Sequence, residues 1–211
     1  MAFVPLVLSA LTGAVPAGFL AAKLASRYAE PADRLPASLV LGLNAAIFVS
    51  AALARLPMPV LWCSLGLGWT LACLAVIDLT AFRLPDAFTL PLIAVGLAVS
   101  FVLLPGRPIV DHLVGAAVGY GALAGLAWAF EKARGIDGIG MGDAKLLAAA
   151  GAWLGWRDLP SVVLIACALA FVWVAVSALA RGRDVLGRRI AFGAPLCLAF
   201  WIVWLRGPLP L

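Results

Sequence analysis

The fold is decided by residues 57–104, which read PMPVLWCSLGLGWTLACLAVIDLTAFRLPDAFTLPLIAVGLAVSFVLL. Only three charged side chains interrupt this stretch, and they lie together as Asp78, Arg83 and Asp86. On either side of them is an uncharged apolar run of about 20 residues, the length that crosses the hydrocarbon core as a helix. A backbone in lipid must satisfy its own hydrogen bonds, so two spanning helices joined by a short polar turn are predicted.

The rest of the chain repeats this pattern. Hydrophobic residues make up 65% of the 211 positions, charged residues 12%, and the mean hydropathy is +1.11. In soluble domains roughly a quarter of the residues are charged, so a soluble fold is excluded. The sequence predicts an all-α, polytopic membrane helical bundle of about eight transmembrane helices, with six or seven as alternative counts, in one domain over residues 1–211. The predicted spans are residues 3–25, 36–54, 57–77, 87–104, 113–130, 144–156, 159–180 and 190–205, of which the sixth is short.

The basic residues orient these spans. With eight spans, the segments on one side carry 11 of the 15 lysines and arginines, and the segments on the other side carry 4. Positively charged connections stay in the cytoplasm. Both chain ends are therefore predicted to face outward. The first span is read as a retained helix because basic residues follow it and do not precede it.

Two aspartates lie at the predicted cytoplasmic side of the bundle. Asp78 ends one apolar run and Asp143 opens another, and acids at such a depth in a membrane are costly and usually functional or paired. Simpler interpretations stay open, because Asp143 fits a helix N-cap and Asp78 fits an ion pair with Arg83. Asp86 is interpreted as a helix cap. Lys145 is interpreted as an anchor that reaches the headgroups.

Small and sulfur-containing residues point to packing. Glycines 115, 119, 121 and 125 form overlapping GxxxG spacings in the fifth span, which favours close packing of helices within the chain over a dimer face. The four cysteines lie in apolar runs without a CxxC pair, and the single histidine, His112, has no evident metal partner. No disulfide framework, metal site or cofactor is predicted.

Two motifs carry a resemblance to a known family. The string IDLTAFRLPDAFTLPL, beginning at Ile77, resembles the first signature of the type IV prepilin peptidases. The string GIDGIGMGDAKLLAAAGAWLGW, beginning at Gly135, is similar to their second signature, a GxGD motif. The resemblance covers residues 75–104 and 135–205. It implies that Asp78 and Asp143 are catalytic and that Gly140 and Gly142 belong to the active-site loop.

The resemblance also implies an activity and a location. The protein is expected to be an aspartic endopeptidase in the bacterial inner membrane that cuts the leader peptide of prepilins or pseudopilins at the cytoplasmic face. The expected partners are that substrate and the lipid bilayer, without nucleic acid, and the oligomeric state stays open. Bifunctional members carry paired CxxC motifs between the first two spans. Here that connection is ASRYAEPADRLPA, so N-methyltransferase activity is not expected.

The helix dipole suggests how the two aspartates would share a proton. Asp143 is predicted at a helix N-terminus, where the carboxylate is favoured, and Asp78 at a helix C-terminus, where it is disfavoured. The sequence therefore predicts Asp78 as the proton holder and Asp143 as the base. Two other functions stay open, a proton-relaying membrane transporter and an inactive scaffold of a pilus or secretion machine.

Overall fold

The structure, a computed structural model, describes residues 37–54, 56–135, 140–181 and 191–206. Regular structure in these ranges is helical throughout, which confirms the predicted all-α class. The α-helices are α1 Ala37–Leu53, α2 Met58–Ala81, α3 Asp86–Leu103, α4 Ile109–Arg134, α5 Met141–Leu154, α6 Leu159–Arg181 and α7 Gly193–Arg206, with one turn of 3₁₀-helix at Trp156–Asp158.

Four segments are long and apolar enough to cross a membrane. They are Met58–Ala81, Asp86–Leu103, Ile109–Arg134 and Trp156–Ala180, and α7 is a shorter apolar helix. The predicted count of about eight spans is therefore not confirmed, and the first predicted span, residues 3–25, lies outside the described residues. The predicted sixth span forms the 14-residue α5, which at 1.5 Å per residue extends about 21 Å and is too short to cross a bilayer core of ~30 Å.

Proline and left-handed residues set the helix boundaries. Pro57, Pro85 and Pro108 immediately precede α2, α3 and α4, where a fixed φ and a missing N–H suit the start of a helix. Phe82, with φ 51°, ends α2, and Gly135, with φ 69°, ends α4. In each case the N–H of the capping residue donates to the carbonyl four residues back, which closes the last turn.

Helix α5 is the centre of the bundle. Ten of its residues, from Ala144 to Leu154, are buried, and it packs against α3, α4 and α7. Trp153 fills the middle of this core. Its indole Nε1 donates to the Leu92 carbonyl of α3 at 2.9 Å, and its ring meets Trp204 of α7 edge-on at 5.2 Å between centroids. A buried indole N–H needs such a partner, so this bond fixes the ring between two helices.

Close packing of α4 on α5 depends on two of the four glycines in α4. A Cβ on Gly115 would lie 2.6 Å from the Gly151 carbonyl oxygen, and one on Gly119 would lie 2.5 Å from that of Leu147. Gly121 and Gly125 have nothing within 4 Å of that position. The predicted packing within the chain is thus confirmed for Gly115 and Gly119, where the absence of a side chain lets two backbones approach.

The outer surface of the bundle is apolar. Large hydrophobic side chains such as Phe101, Phe171 and Leu179 are exposed, with Leu179 at 89%. A soluble monomer rarely exposes contiguous apolar surface of this extent. The exposed faces of α3, α4 and α6 therefore fit contact with lipid.

Candidate active site

The two aspartates line one pocket at one end of the bundle. The pocket has a volume of about 520 Å³ and is lined by Asp78, Phe82, Arg83, Leu84, Pro85, Asp86, Gly140, Met141, Gly142, Asp143 and Lys145. Its walls come from the end of α2, the turn into α3 and the start of α5. The structure thus brings together all four residues that the sequence proposed for the site. Their catalytic roles stay predictions.

Asp78 sits in the last turn of α2 and is held by a distant helix. Its residue is only 5% exposed. The backbone N–H of Ala194, in the first turn of α7, donates to Asp78 Oδ2 at 2.9 Å across 116 residues of sequence. A Cβ added to Gly193 would lie 2.8 Å from the same oxygen. The free N–H groups and positive dipole at the start of α7 therefore surround this carboxyl and favour its ionised form.

Asp143 occupies the first turn of α5, a helix outside the four candidate spans. The N-cap residue of α5 is Gly140, so Asp143 is not the N-cap that the sequence also allowed. Burial, and then the nearby charge of Asp78, raise the pKa of Asp143 to about 7. Desolvation disfavours a carboxylate, and a second carboxylate close by disfavours it further. Near neutral pH the Asp143 carboxyl is therefore partly protonated.

The assignment of the shared proton to Asp78 stays a prediction. It weighed only the helix to which each aspartate belongs, whereas the structure adds a contact from another helix, the Ala194 N–H of α7, which donates to Asp78 Oδ2. The alternative ion pair of Asp78 with Arg83 is absent from the described residues, where the ion pairs involve other acids.

The two predicted loop glycines serve different purposes. Gly140 precedes α5 with φ −70°, a conformation that any residue adopts. Gly142 lies inside the first turn of α5, and a Cβ there would come within 2.8 Å of the Leu84 Cβ. Gly142 therefore lets the α2–α3 turn pack against α5 beside Asp143. The predicted approach of a substrate backbone to these glycines stays a prediction.

One interpretation of a charged residue near the site was wrong. Asp86 was expected to cap a helix, but the N-cap of α3 is Pro85 and Asp86 is the first residue of the helix. For Lys145, which the sequence predicts to reach the headgroups, the structure shows an ion pair, with Nζ 2.6 Å from Asp86 Oδ1; its reach to the headgroups stays a prediction. The pair links α3 to α5 in the wall of the pocket. The sequence could not show it, because 59 residues separate the partners.

Two further features at the site were not singled out from the sequence. Gly193 and Ala194 supply the N–H groups around Asp78, and the string RIAFGAPL held the only signal, a glycine and a proline at the start of an apolar run. Arg83 is exposed at the mouth of the pocket.

Comparison with known proteins decides the family. The model of the type IV leader peptidase family matches residues 65–175, more than half of the chain. The chain belongs to the type IV leader peptidase family. The match includes both aspartates of the pocket and ends before α7.

Curated proteins named prepilin leader peptidase/N-methyltransferase are similar to this leader peptidase family member. One from Aeromonas salmonicida strain A449 is 43% identical over 145 residues, 68% of this chain and 49% of that protein. One from Aeromonas hydrophila is 40% identical over 166 residues, which are 78% of this chain and 56% of that protein. One from Burkholderia pseudomallei strain 1026b is 45% identical over 132 residues, which are 61% of this chain and 41% of that protein. The chain thus spans about half the length of the curated relatives it matches. No solved structure matches it.

Proposed function

We propose that this protein is a membrane-embedded aspartic endopeptidase that removes the leader peptide of prepilins or pseudopilins. One observation carries the proposal. In a chain of the type IV leader peptidase family, two half-buried or buried carboxyls on different helices, Asp78 and Asp143, face one pocket of an apolar bundle. Hydrolysis of a peptide bond by two carboxyls requires one ionised and one protonated partner near the same water.

We assign the roles of the two aspartates in the resting pair from the contacts around them. Asp78, whose Oδ2 accepts from the Ala194 N–H, is the base that removes a proton from the attacking water. Asp143, which holds the shared proton, donates a hydrogen bond to the scissile carbonyl and then protonates the leaving amine. Because close carboxyls titrate as a unit, the pair keeps a single proton over the range in which the enzyme works.

The ends of the helices support a cytoplasmic active site. The pocket lies at the end of the bundle formed by the last turn of α2 and the first turns of α3 and α5. The basic side chains Arg83, Lys132, Arg134 and Lys145 belong to the same ends of helices α2 to α5. An excess of basic residues marks the cytoplasmic side, so we place the cut at the inner face of the bacterial inner membrane, between a polar leader and an apolar substrate helix.

The length of α4 beyond the aspartates supports a substrate that lies partly in the bilayer. Helix α4 continues to Arg134, whereas α5 begins at Met141 alongside it. Their crossing pairs Gly115 with Gly151 and Gly119 with Leu147, and this register places Asp143 near the level of residue 123. About ten residues of α4, or ~15 Å at 1.5 Å per residue, extend beyond the aspartates. The scissile bond would thus meet the pair below the end of α4, at the level where α2 ends and α3 and α5 begin.

Coexpression with a prepilin tests the proposal. Wild type should convert the prepilin to the faster-migrating mature form on a gel, and Asp78→Asn and Asp143→Asn should each abolish conversion. Asp111→Asn, at the opposite end of the bundle, is the matched control and should cleave normally. Full cleavage by either of the first two variants would remove the carboxyl pair as the catalyst.

We also propose that this chain acts as a peptidase without N-methyltransferase activity. Its relatives carry both activities in their names, but the 211 residues contain no CxxC motif, and a structural zinc site needs about four ligands. The intact mass of the mature substrate tests this. An unmodified amino terminus is expected, whereas a gain of one methyl group in a host without another methyltransferase would overturn it.

A further inference from the structure

An ion pair lies in the same pocket as the two aspartates. Lys145 Nζ and Asp86 Oδ1 are 2.6 Å apart, and the side chains are 25% and 57% exposed. Both residues line the pocket with Asp78 and Asp143. Lys145 follows Asp143 by two residues on α5, and its partner comes from a different helix.

An unpaired lysine at this position would harm a carboxyl pair that works by sharing a proton. A cation within about 4–6 Å of a carboxylate lowers its pKa by about 1–3 units, because it stabilises the ionised form. Here the ammonium of Lys145 lies 2.6 Å from the Asp86 carboxylate, so the lysine charge is compensated where it stands, although its flexible four-carbon stem allows many other positions.

We propose that Asp86 is a positioning residue that holds Lys145 in an ion pair and so keeps the lysine charge from driving the shared proton off Asp78 and Asp143. The inference rests on the proposed function of that pair. It assigns to Asp86 an effect on the chemistry that passes through Lys145, without contact between Asp86 and the substrate.

The other groups around the aspartates do not provide this compensation. Among the described residues, the charged side chains of the pocket are Arg83 from the α2–α3 turn and the two aspartates with Asp86 and Lys145. Helix α7 contributes backbone N–H groups and the buried Cys197 thiol. Asp86 is therefore the one carboxylate in this described set that is outside the catalytic pair and able to neutralise Lys145.

The pH dependence of cleavage by purified protein in detergent, with a purified prepilin as substrate, tests the proposal. In Asp86→Asn the freed lysine should move the alkaline limb of the rate profile toward acid by about one pH unit or more. In Lys145→Met the remaining Asp86 carboxylate should move it the opposite way, by less, because Asp86 is more than half exposed. Asp86→Asn/Lys145→Met should restore the wild-type profile.

Matched controls separate this effect from a structural one. Arg157→Met breaks an ion pair of similar kind with Asp111 at the opposite end of the bundle and should leave the profile in place. A pair that only braces two helices would slow cleavage in both single variants without moving the limb, and that result would overturn the proposal. So would a double variant that keeps the shifted profile of Asp86→Asn.

The outcomes also distinguish this inference from the proposed function. Cleavage by wild type that is lost in Asp78→Asn, together with coincident profiles for all Asp86 and Lys145 variants, refutes the role of Asp86 alone. Absence of cleavage by wild type refutes both proposals. If Asp86→Asn does not accumulate in membranes, the Lys145→Met profile decides, since an unchanged alkaline limb there contradicts any coupling between the ion pair and the aspartates.

Discussion

Replacing Asp143 by asparagine is expected to stabilise the folded protein at alkaline pH. Burial and the neighbouring Asp78 raise the pKa of Asp143 to about 7 from an ordinary value of 3.8. The folded state therefore holds this proton more tightly than the unfolded state does. Wild type loses stability as the pH rises from about 4 through about 7, and the loss is complete above that pKa.

The size of the effect follows from the same two values. The difference is about three pH units, and each unit corresponds to about 1.4 kcal/mol, which gives an upper value of about 4 kcal/mol. Asp143 keeps some contact with solvent and titrates together with Asp78, so an effect of about 2–4 kcal/mol is expected. At about 2–4 °C per kcal/mol for a chain of this size, Tm should differ by roughly 5–15 °C at pH 8.

Thermal unfolding in detergent, followed by tryptophan fluorescence at pH 5, 6, 7 and 8, measures the effect. The Tm difference between Asp143→Asn and wild type should be smallest at pH 5 and should grow in favour of the variant up to pH 8. Asparagine has nearly the same shape and does not ionise, so packing changes contribute equally at every pH. Asp111→Asn serves as the control for a general effect of removing one negative charge.

Parallel Tm curves for wild type and Asp143→Asn between pH 5 and 8 would refute the reasoning. They would mean that Asp143 ionises in the folded state at no cost. A Tm difference that grows toward acid pH would also refute it, because it would show that the folded state favours the carboxylate.

Two glycine contacts give further predictions. Gly193→Ala places a Cβ 2.8 Å from Asp78 Oδ2. The cleavage rate should fall by about 10- to 100-fold, because displacement of a catalytic group by ~1 Å has effects of that order, while Tm changes little. A normal cleavage rate would contradict the role of α7 in placing Asp78. Gly119→Ala forces a Cβ against the Leu147 carbonyl oxygen at 2.5 Å and should destabilise the protein by about 1–3 kcal/mol, whereas Gly121→Ala faces open space and should be neutral or stabilising by up to ~1 kcal/mol from helix propensity. Thermal unfolding compares the two alanine variants, and equal Tm values would contradict the close crossing of α4 and α5.

The sequence could predict the features that depend on composition and local order. Apolar runs separated by charges predict helices in a membrane, and the same-side positions of Asp78 and Asp143 predict that they meet. The lengths and number of the membrane spans were harder to predict, because α5 is as apolar as a membrane span but is surrounded by protein. Its ten buried residues need no lipid to cover them, so its 14 residues suffice.

The features that failed prediction all depend on contacts between distant residues. The contact of α7 with Asp78 was missed because that helix begins 115 residues later, at Gly193. Lys145 was interpreted from its own helix alone, although its partner Asp86 comes from α3. Hydrogen bonds and ion pairs at this separation depend on the register of packed helices, which neither propensity nor hydropathy encodes.

The hydrogen bond from Ala194 to Asp78 gives the order of biosynthesis a chemical meaning. Both aspartates have left the ribosome well before α7 is made. Until α7 has inserted, Asp78 lacks the hydrogen bond from the Ala194 N–H, which favours the charged form of a carboxyl. Under the proposed mechanism, a nascent chain would carry two carboxyls without the asymmetry that distinguishes the base from the acid. Hydrolytic competence would then arise only once α7 has been translated and inserted.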